Sequence, residues 1–255
     1  MVTGASGGIG AAFAEALAKR GHDLVIVSRS QAKLDERAAE LHAAHDAQVE
    51  VLVADLETDA GVARVVERLG DAGRPIELLV NNAGFGSFGK FHELAIDTEV
   101  AMIELNVVAL VKLTHAALGS MVERGHGGVI NVSSVGAYQP TPSYATYSAT
   151  KAFVSSFSNA VHEELRGTGV KAMVVAPGFT RTDFHTRAEV DAREQMPGFL
   201  WSSSEEVAEA SMNAYERGRA VCVPGAMNTM AAAFSSVMPA SVSRRVAGIV
   251  SKRTN

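Results

Sequence analysis

The sequence predicts an α/β fold, a doubly wound parallel sheet with helices on both faces in three layers, α/β/α. Three observations predict it. Short Val/Ile/Leu runs alternate with helical stretches along the chain, as in parallel strands buried on both faces. Nearly every apolar run ends in glycine or small polar residues, the punctuation of strand-to-helix turns. The 255 residues, 47% hydrophobic and 20% charged, suit one domain with a substantial core.

The elements follow in order. Met1–Thr3 leads into Gly4-Ala5-Ser6-Gly7-Gly8-Ile9-Gly10, and a helix with Phe13, Leu17 and Ala18 on its apolar spacing stops at Gly21. Asp23–Val27 is a strand ended by Ser28-Arg29-Ser30, and Ala32–His45 is a charged helix. Val49–Ala54 is a strand closed by Asp55-Leu56, and Thr58–Gly70 is helical. Ile76–Val80 is a strand running into Asn81-Asn82-Ala83-Gly84. Asp97–Glu123 is expected as one long helix with Asn106 in its interior, followed by the strand Gly128–Val132 and Ser133-Ser134. A loop with Pro140 and Pro142 leads to the helix of Tyr147 and Lys151, then to the strand Val170–Val175 and Pro177-Gly178. Phe184–Met196 is expected as a mobile helical lid. Ser203 with Glu206 forms a capping box, and Val221–Val223 is a last short strand. Only three residues precede the first glycine turn, where a central strand belongs. The expectation is therefore an upstream start or a truncated N-terminus.

Parallel sheets of this kind bind ligands beyond the carboxyl ends of their strands. Gly4–Gly10, Ser28-Arg29, Asp55, Asn81–Gly84, Ser133-Ser134 and Pro177-Gly178 all fall at those ends. The glycine spacing is Gly-x-x-x-Gly-x-Gly, leading from a strand to a helix start. Free backbone N–H groups and the helix dipole there suit a pyrophosphate, and glycine lets it approach. Tyr147 and Lys151 lie four residues apart on one helix face. A nearby ammonium favours the phenolate and makes tyrosine usable for proton transfer. Tyr144 competes by proximity, but its fourth neighbour is Ser148; it is read as packing or substrate contact.

Other classes are disfavoured. A formal net charge of −5 lacks the basic surplus of a nucleic-acid binder. The single cysteine, Cys222, allows no internal disulfide, and the histidines form no metal-ligand cluster. No signal peptide and no apolar run of membrane-span length is expected. The nearest such run, Ala226–Val250, carries Asn228, Pro239 and Arg244-Arg245. A reducing, cytoplasmic setting follows.

Thr3–Gly10, Asn81–Gly84, Asn106, Ser134, Tyr147/Lys151 and Pro177-Gly178 stand in the order and spacing of the short-chain dehydrogenase/reductase family. The resemblance runs to about Thr182 and implies one NAD(P)-binding, Rossmann-like domain over residues 1–255. A substrate lid at about 183–202 and a variable tail at about 226–255 complete it. By this resemblance Tyr147 is the catalytic acid/base. Lys151 lowers its pKa and holds the nicotinamide ribose. Ser134 hydrogen-bonds the substrate carbonyl, and Asn106 holds a helix kink and a proton-relay water. Ser133 is the structural neighbour of Ser134.

The resemblance also assigns the cofactor to Gly4, Ser6, Gly8, Ile9 and Gly10 at the turn. Asp55 and Leu56 take the adenine, although Asp55 also suits a helix N-cap. Asn81, Ala83 and Gly84 line the cleft, with Asn82 stabilising the strand. Pro177, Gly178, Thr180 and Thr182 take the nicotinamide end. Ser28 and Arg29 stand where an acidic residue would select NAD. Arg29 can instead pair with a 2′-phosphate, so NADP(H) is expected over NAD(H). Phe85, Tyr138, Phe179, Phe184, Met196, Phe199 and Trp201 form an apolar substrate pocket or pack the lid. The expected activity is hydride transfer between NADP(H) and a small carbonyl or alcohol, by a homodimer or homotetramer. A cofactor sensor without catalysis, or an epimerase or dehydratase of the same fold, is the alternative.

Overall fold

Seven strands run parallel in the order β3-β2-β1-β4-β5-β6-β7. They are β1 Val2–Thr3, β2 Leu24–Ser28, β3 Val49–Val53, β4 Leu78–Asn81, β5 Gly127–Val132, β6 Val170–Val175 and β7 Val221–Cys222. The structure is a computed structural model, and residues 1–181 and 201–237 are described. The helices are α1 Gly8–Ala18, α2 Gln31–His45, α3 Asp59–Leu69, α4 Ile96–Ile103, α5 Leu110–Arg124, α6 Ala145–Glu164, α7 Ser204–Glu216 and α8 Ala226–Val237.

Period-two alternation along the strands feeds two cores. Ile26, Val80, Ile130, Met173 and Val175 pack with α1, α2 and α7 residues such as Phe13, Leu41 and Val207. Val25, Val27, Leu79, Val129 and Ala172 face the other way, against Val65, Leu113 and Val161 of α3, α5 and α6. The three layers follow directly. β1 is short yet central: Met1 donates its terminal N–H to the Leu78 carbonyl at 2.7 Å, and Val80 N–H donates to the Met1 carbonyl at 2.8 Å.

Local signals explain most element starts. Ser30 caps α2 by accepting from Lys33 N–H. Thr58 caps α3 by accepting from Gly61 N–H at 3.1 Å. Ser203 and Glu206 form the expected capping box on α7.

Two expectations change. The single helix over 97–123 is interrupted by a π-helical segment, Glu104–Ala109, between α4 and α5, at the place where the resemblance implies a kink held by Asn106. The widened turn holds Asn106, which is buried. The expectation that no apolar run reaches membrane-span length also fails: Ile96–Arg124 is a continuous helical stretch long and apolar enough by composition. Its apolar residues Met102, Leu113, Ala117 and Met121 are buried in this fold, because the stretch flanks a buried sheet. The expected lid 183–202 falls outside the described residues except for Trp201 and Ser202, as does the tail beyond Val237. Ser202 makes a parallel bridge with Thr180.

Candidate active site

All strands are parallel, so their carboxyl ends share one edge, and a cavity of about 540 Å³ opens there. Its wall includes Gly4, Ser6, Gly8, Ile9, Arg29, Asp55, Leu56, Ala83, Gly84, Ser134, Tyr147, Lys151, Pro177, Gly178 and Thr180. The convergence expected of these residues is therefore present.

The glycine turn is held from behind. Thr3 Oγ1 accepts from Asn82 and Ala83 N–H, both at 3.0 Å. Asn82 Nδ2 returns a hydrogen bond to the Thr3 carbonyl at 2.9 Å. Gly4 has φ +67°, and a Cβ on Gly10 would stand 2.3 Å from the Gly4 carbonyl oxygen. Only glycine admits both features. Gly7, the N-cap of α1, offers no side-chain acceptor, and no acidic residue occupies the first turn. The first amides of α1 therefore lack the partners a capping side chain would supply. This uncapped, acid-free helix start at a roomy cavity fits a dinucleotide pyrophosphate. Its residues Gly8 and Ile9, with Ser6, would hold it.

At the proton end, Ser134 and Tyr147 share the cavity wall, with the Ser134 hydroxyl placed to favour the phenolate. Ser134 is the N-cap of the 3-10 turn Val135–Tyr138, and its Oγ accepts from Gly136 N–H at 3.1 Å. Lys151, one turn after Tyr147, donates from Nζ to the Val132 carbonyl at 2.9 Å. Its Nζ lies 5.8 Å from the centre of the Tyr147 ring. Burial dominates both groups. It pushes the Tyr147 phenol up to about 12, against the opposing effect of the Ser134 hydroxyl. It pushes the Lys151 ammonium down to about 8. Burial, with a smaller push from Tyr144, sets the rise of the phenol.

Asn106 stands one layer behind the cavity. Its Oδ1 accepts from Phe85 N–H at 3.2 Å, while Nδ2 donates to the Phe85 carbonyl at 3.0 Å and to Thr150 Oγ1 at 3.2 Å. The side chain thus locks the strand-end segment to the π turn. A Cβ on Gly84 would stand 2.7 Å from Asn106 Oδ1 and 3.5 Å from Lys151 Nζ. Gly84 is what lets the three groups approach.

Asn82 stabilises the strand end as expected, through the Thr3 carbonyl, but it also lines the cavity, where Asn81 was expected. Asn81 is buried in the sheet, donating to Thr114 Oγ1 at 3.0 Å and Asn131 Oδ1 at 2.9 Å; it is not on the cavity wall, whereas Asn82 is. Gly10 supports the turn from behind rather than lining the cavity. Asp55 is on the wall, and its Oδ1 accepts from Glu57 N–H at 3.1 Å; Thr58, not Asp55, caps α3. Thr182 lies outside the described residues, as do Phe184, Met196 and Phe199.

Of the aromatic residues expected near the cleft, Phe179 lines the cavity and packs on Trp201 at 5.5 Å between ring centres. Tyr144 packs on Phe88 at 5.1 Å and on Tyr147 at 6.1 Å. Ser148, not a lysine, stands four residues after Tyr144, which leaves Tyr144 a packing and contact residue. The α8 residue Asn228 covers Gly178, where a Cβ would meet its Nδ2 at 2.4 Å.

Two charged wall residues went unassigned in the sequence. Lys33 and Glu57 line the cavity with Ser28 and Arg29. Arg29 pairs with Glu57 at 2.7 Å. Lys33 has a findable signal, standing four residues after Arg29 at the start of α2. Among the described residues no group of three His, Cys, Asp or Glu is placed to hold a metal ion.

Comparison with known proteins agrees with this geometry. The short chain dehydrogenase family profile matches residues 1–193. The very-long-chain 3-oxoacyl-CoA reductase of Anas platyrhynchos is 37% identical over 188 residues, covering 71% of this chain and 59% of that protein. The match thus spans less than two thirds of that relative's length. Sulfoacetaldehyde reductase 2 of Chromohalobacter salexigens is 36% identical over 189 residues, covering 72% of this chain and 73% of the relative. A short-chain dehydrogenase from Sphingobium yanoikuyae, solved in complex with NADPH, has a TM-score of 0.83 and 34% identity, covering 93% of this chain and 95% of that one. With the profile covering most of its length, the chain belongs to the short-chain dehydrogenase family, a family of oxidoreductases.

Proposed function

We propose that this protein is an NADP(H)-dependent carbonyl reductase, acting reversibly as an alcohol dehydrogenase, with Tyr147 as proton donor and acceptor. The observation that carries the reading is the meeting of Ser134 and Tyr147 on one cavity wall, with Lys151 one helical turn behind. When bound, the nicotinamide supplies the hydride. Negative charge then develops on the substrate oxygen. Ser134 and Tyr147 are placed to donate hydrogen bonds to it, and Tyr147 gives up its proton to complete the alcohol. Lys151 lends positive charge to the phenolate left behind. The complete set Asn106, Ser134, Tyr147 and Lys151 favours catalysis over a cofactor-sensing role.

Arg29 and Lys33 at the adenosine end support NADP(H), because two cations there suit a 2′-phosphate. Solved relatives bound to NADPH, including L-sorbose reductase from Gluconobacter frateurii, support the same choice. The aromatic wall of Tyr144 and Phe179 suits an apolar ketone or aldehyde. The test is NADPH consumption against a panel of aldehydes, ketones and acyl carbonyls, with NADH in parallel. Turnover of at least one carbonyl, faster with NADPH, is expected. No turnover across the panel, alongside tight NADPH binding, would favour the sensing alternative.

A further inference from the structure

The adenosine end of the cavity holds an ion pair whose two members suit different cofactors. Arg29 Nη1 donates to Glu57 Oε1 at 2.7 Å. Both side chains are partly exposed, 48% and 26%, so the pair is weakly held and exchangeable. β2 ends without a carboxylate, in Ser28. The neighbouring strand β3 returns one to the same place: Glu57 follows it, and its N–H is fixed by Asp55 Oδ1 at 3.1 Å. Asp55 and Glu57 are the only acidic residues among the described residues lining the cavity. Lys33, on the same wall, makes no ion pair among the described residues.

We infer that Glu57 is a specificity-determining residue and that Arg29–Glu57 works as a cofactor toggle. The inference rests on the NADP(H) reading above. A 2′-phosphate takes Arg29 from Glu57 and must overcome the repulsion of that carboxylate. A plain ribose diol donates hydrogen bonds to Glu57, the acceptor role that β2 itself leaves vacant. Glu57 thereby weakens NADP(H) binding and sustains NAD(H) binding, narrowing the preference set by Arg29 and Lys33.

Titration calorimetry with NADP⁺ and with NAD⁺ on the parent, Glu57→Gln and Arg29→Gln tests this. Both variants alter partly exposed side chains, and coincident thermal melts would show that they fold. Glu57→Gln is expected to bind NADP⁺ about fivefold more tightly, the scale of one exposed charge pair. It should bind NAD⁺ about tenfold more weakly, the scale of a lost charged hydrogen bond. An unchanged ratio of the two affinities, or weaker NADP⁺ binding, would overturn the toggle and make Glu57 a mere support for Arg29. Arg29→Gln separates this from the parent reading: it should weaken NADP⁺ about tenfold or more. Unaltered NADP⁺ affinity in Arg29→Gln would remove the NADP(H) reading itself.

Discussion

Lys151 Nζ stands 5.8 Å from the centre of the Tyr147 ring while its hydrogen bond goes to the Val132 carbonyl at 2.9 Å. The lysine is therefore anchored to the sheet and only adjacent to the phenol. Both groups pay for burial in opposite directions, the phenol rising to about 12 and the ammonium falling to about 8.

A pH limb follows from Lys151. Its charge is present below about 8 and lost above, whereas Tyr147 stays protonated until about 12. Carbonyl reduction needs both the protonated phenol and the ammonium. Its kcat/KM is expected to be flat at neutral pH and to fall as pH rises through about 8. A profile flat well into the alkaline range would contradict this assignment.

The same shift makes Lys151 a stability cost. Its folded pKa lies below the ordinary lysine value of 10.5, at about 8. The unfolded chain therefore binds the proton more tightly, so the cost is full below about 8 and is relieved as pH rises toward the unfolded value. The difference is roughly 3 kcal/mol at neutral pH. Lys151→Met should lose most activity yet melt no lower than the parent at neutral pH. A markedly lower melting temperature would show that the Val132 hydrogen bond outweighs the buried charge.

Asn106→Ala removes the side-chain partners of the Phe85 N–H and carbonyl together. Two part-buried backbone groups left without them cost about 2 to 4 kcal/mol. Urea denaturation should show that loss, with kcat reduced because the segment beside Gly84, on the cavity wall, loosens. An unchanged midpoint would contradict the lock between the strand end and the π turn.

Gly10→Ala places a Cβ 2.3 Å from the Gly4 carbonyl oxygen, so the turn and α1 must separate. The expected cost is about 1 to 3 kcal/mol, the scale of overpacking. NADP⁺ binding by calorimetry should weaken along with it. Parental affinity would mean that the turn does not hold the pyrophosphate.

Much of this was legible in the sequence because strand ends in a parallel sheet share one edge. Ser134, Tyr147, Lys151 and the glycine turn meet on one cavity for that reason. Three features were not legible. The π turn at Asn106 differs from an α-helix by backbone hydrogen bonding that side-chain periodicity does not report. Asn81 and Asn82 are adjacent, and alternation turns one into the sheet and the other toward the turn; Asn81 is paired opposite Asn131, which requires knowing the strand register. Glu57 meets Arg29 across 28 residues because β3 lies beside β2, a fact of strand order rather than of local sequence.

In the proposed reaction, hydride reaches a carbonyl carbon while Tyr147 protonates its oxygen. This is tested most directly with NADPH deuterated at the transferring position and a carbonyl this protein reduces. Mass spectrometry should find one deuterium on the alcohol carbon with the parent. Tyr147→Phe should bind NADPH as the parent does but form that product about 10² to 10⁴ times more slowly. Labelled alcohol forming at the parental rate in Tyr147→Phe would contradict the account.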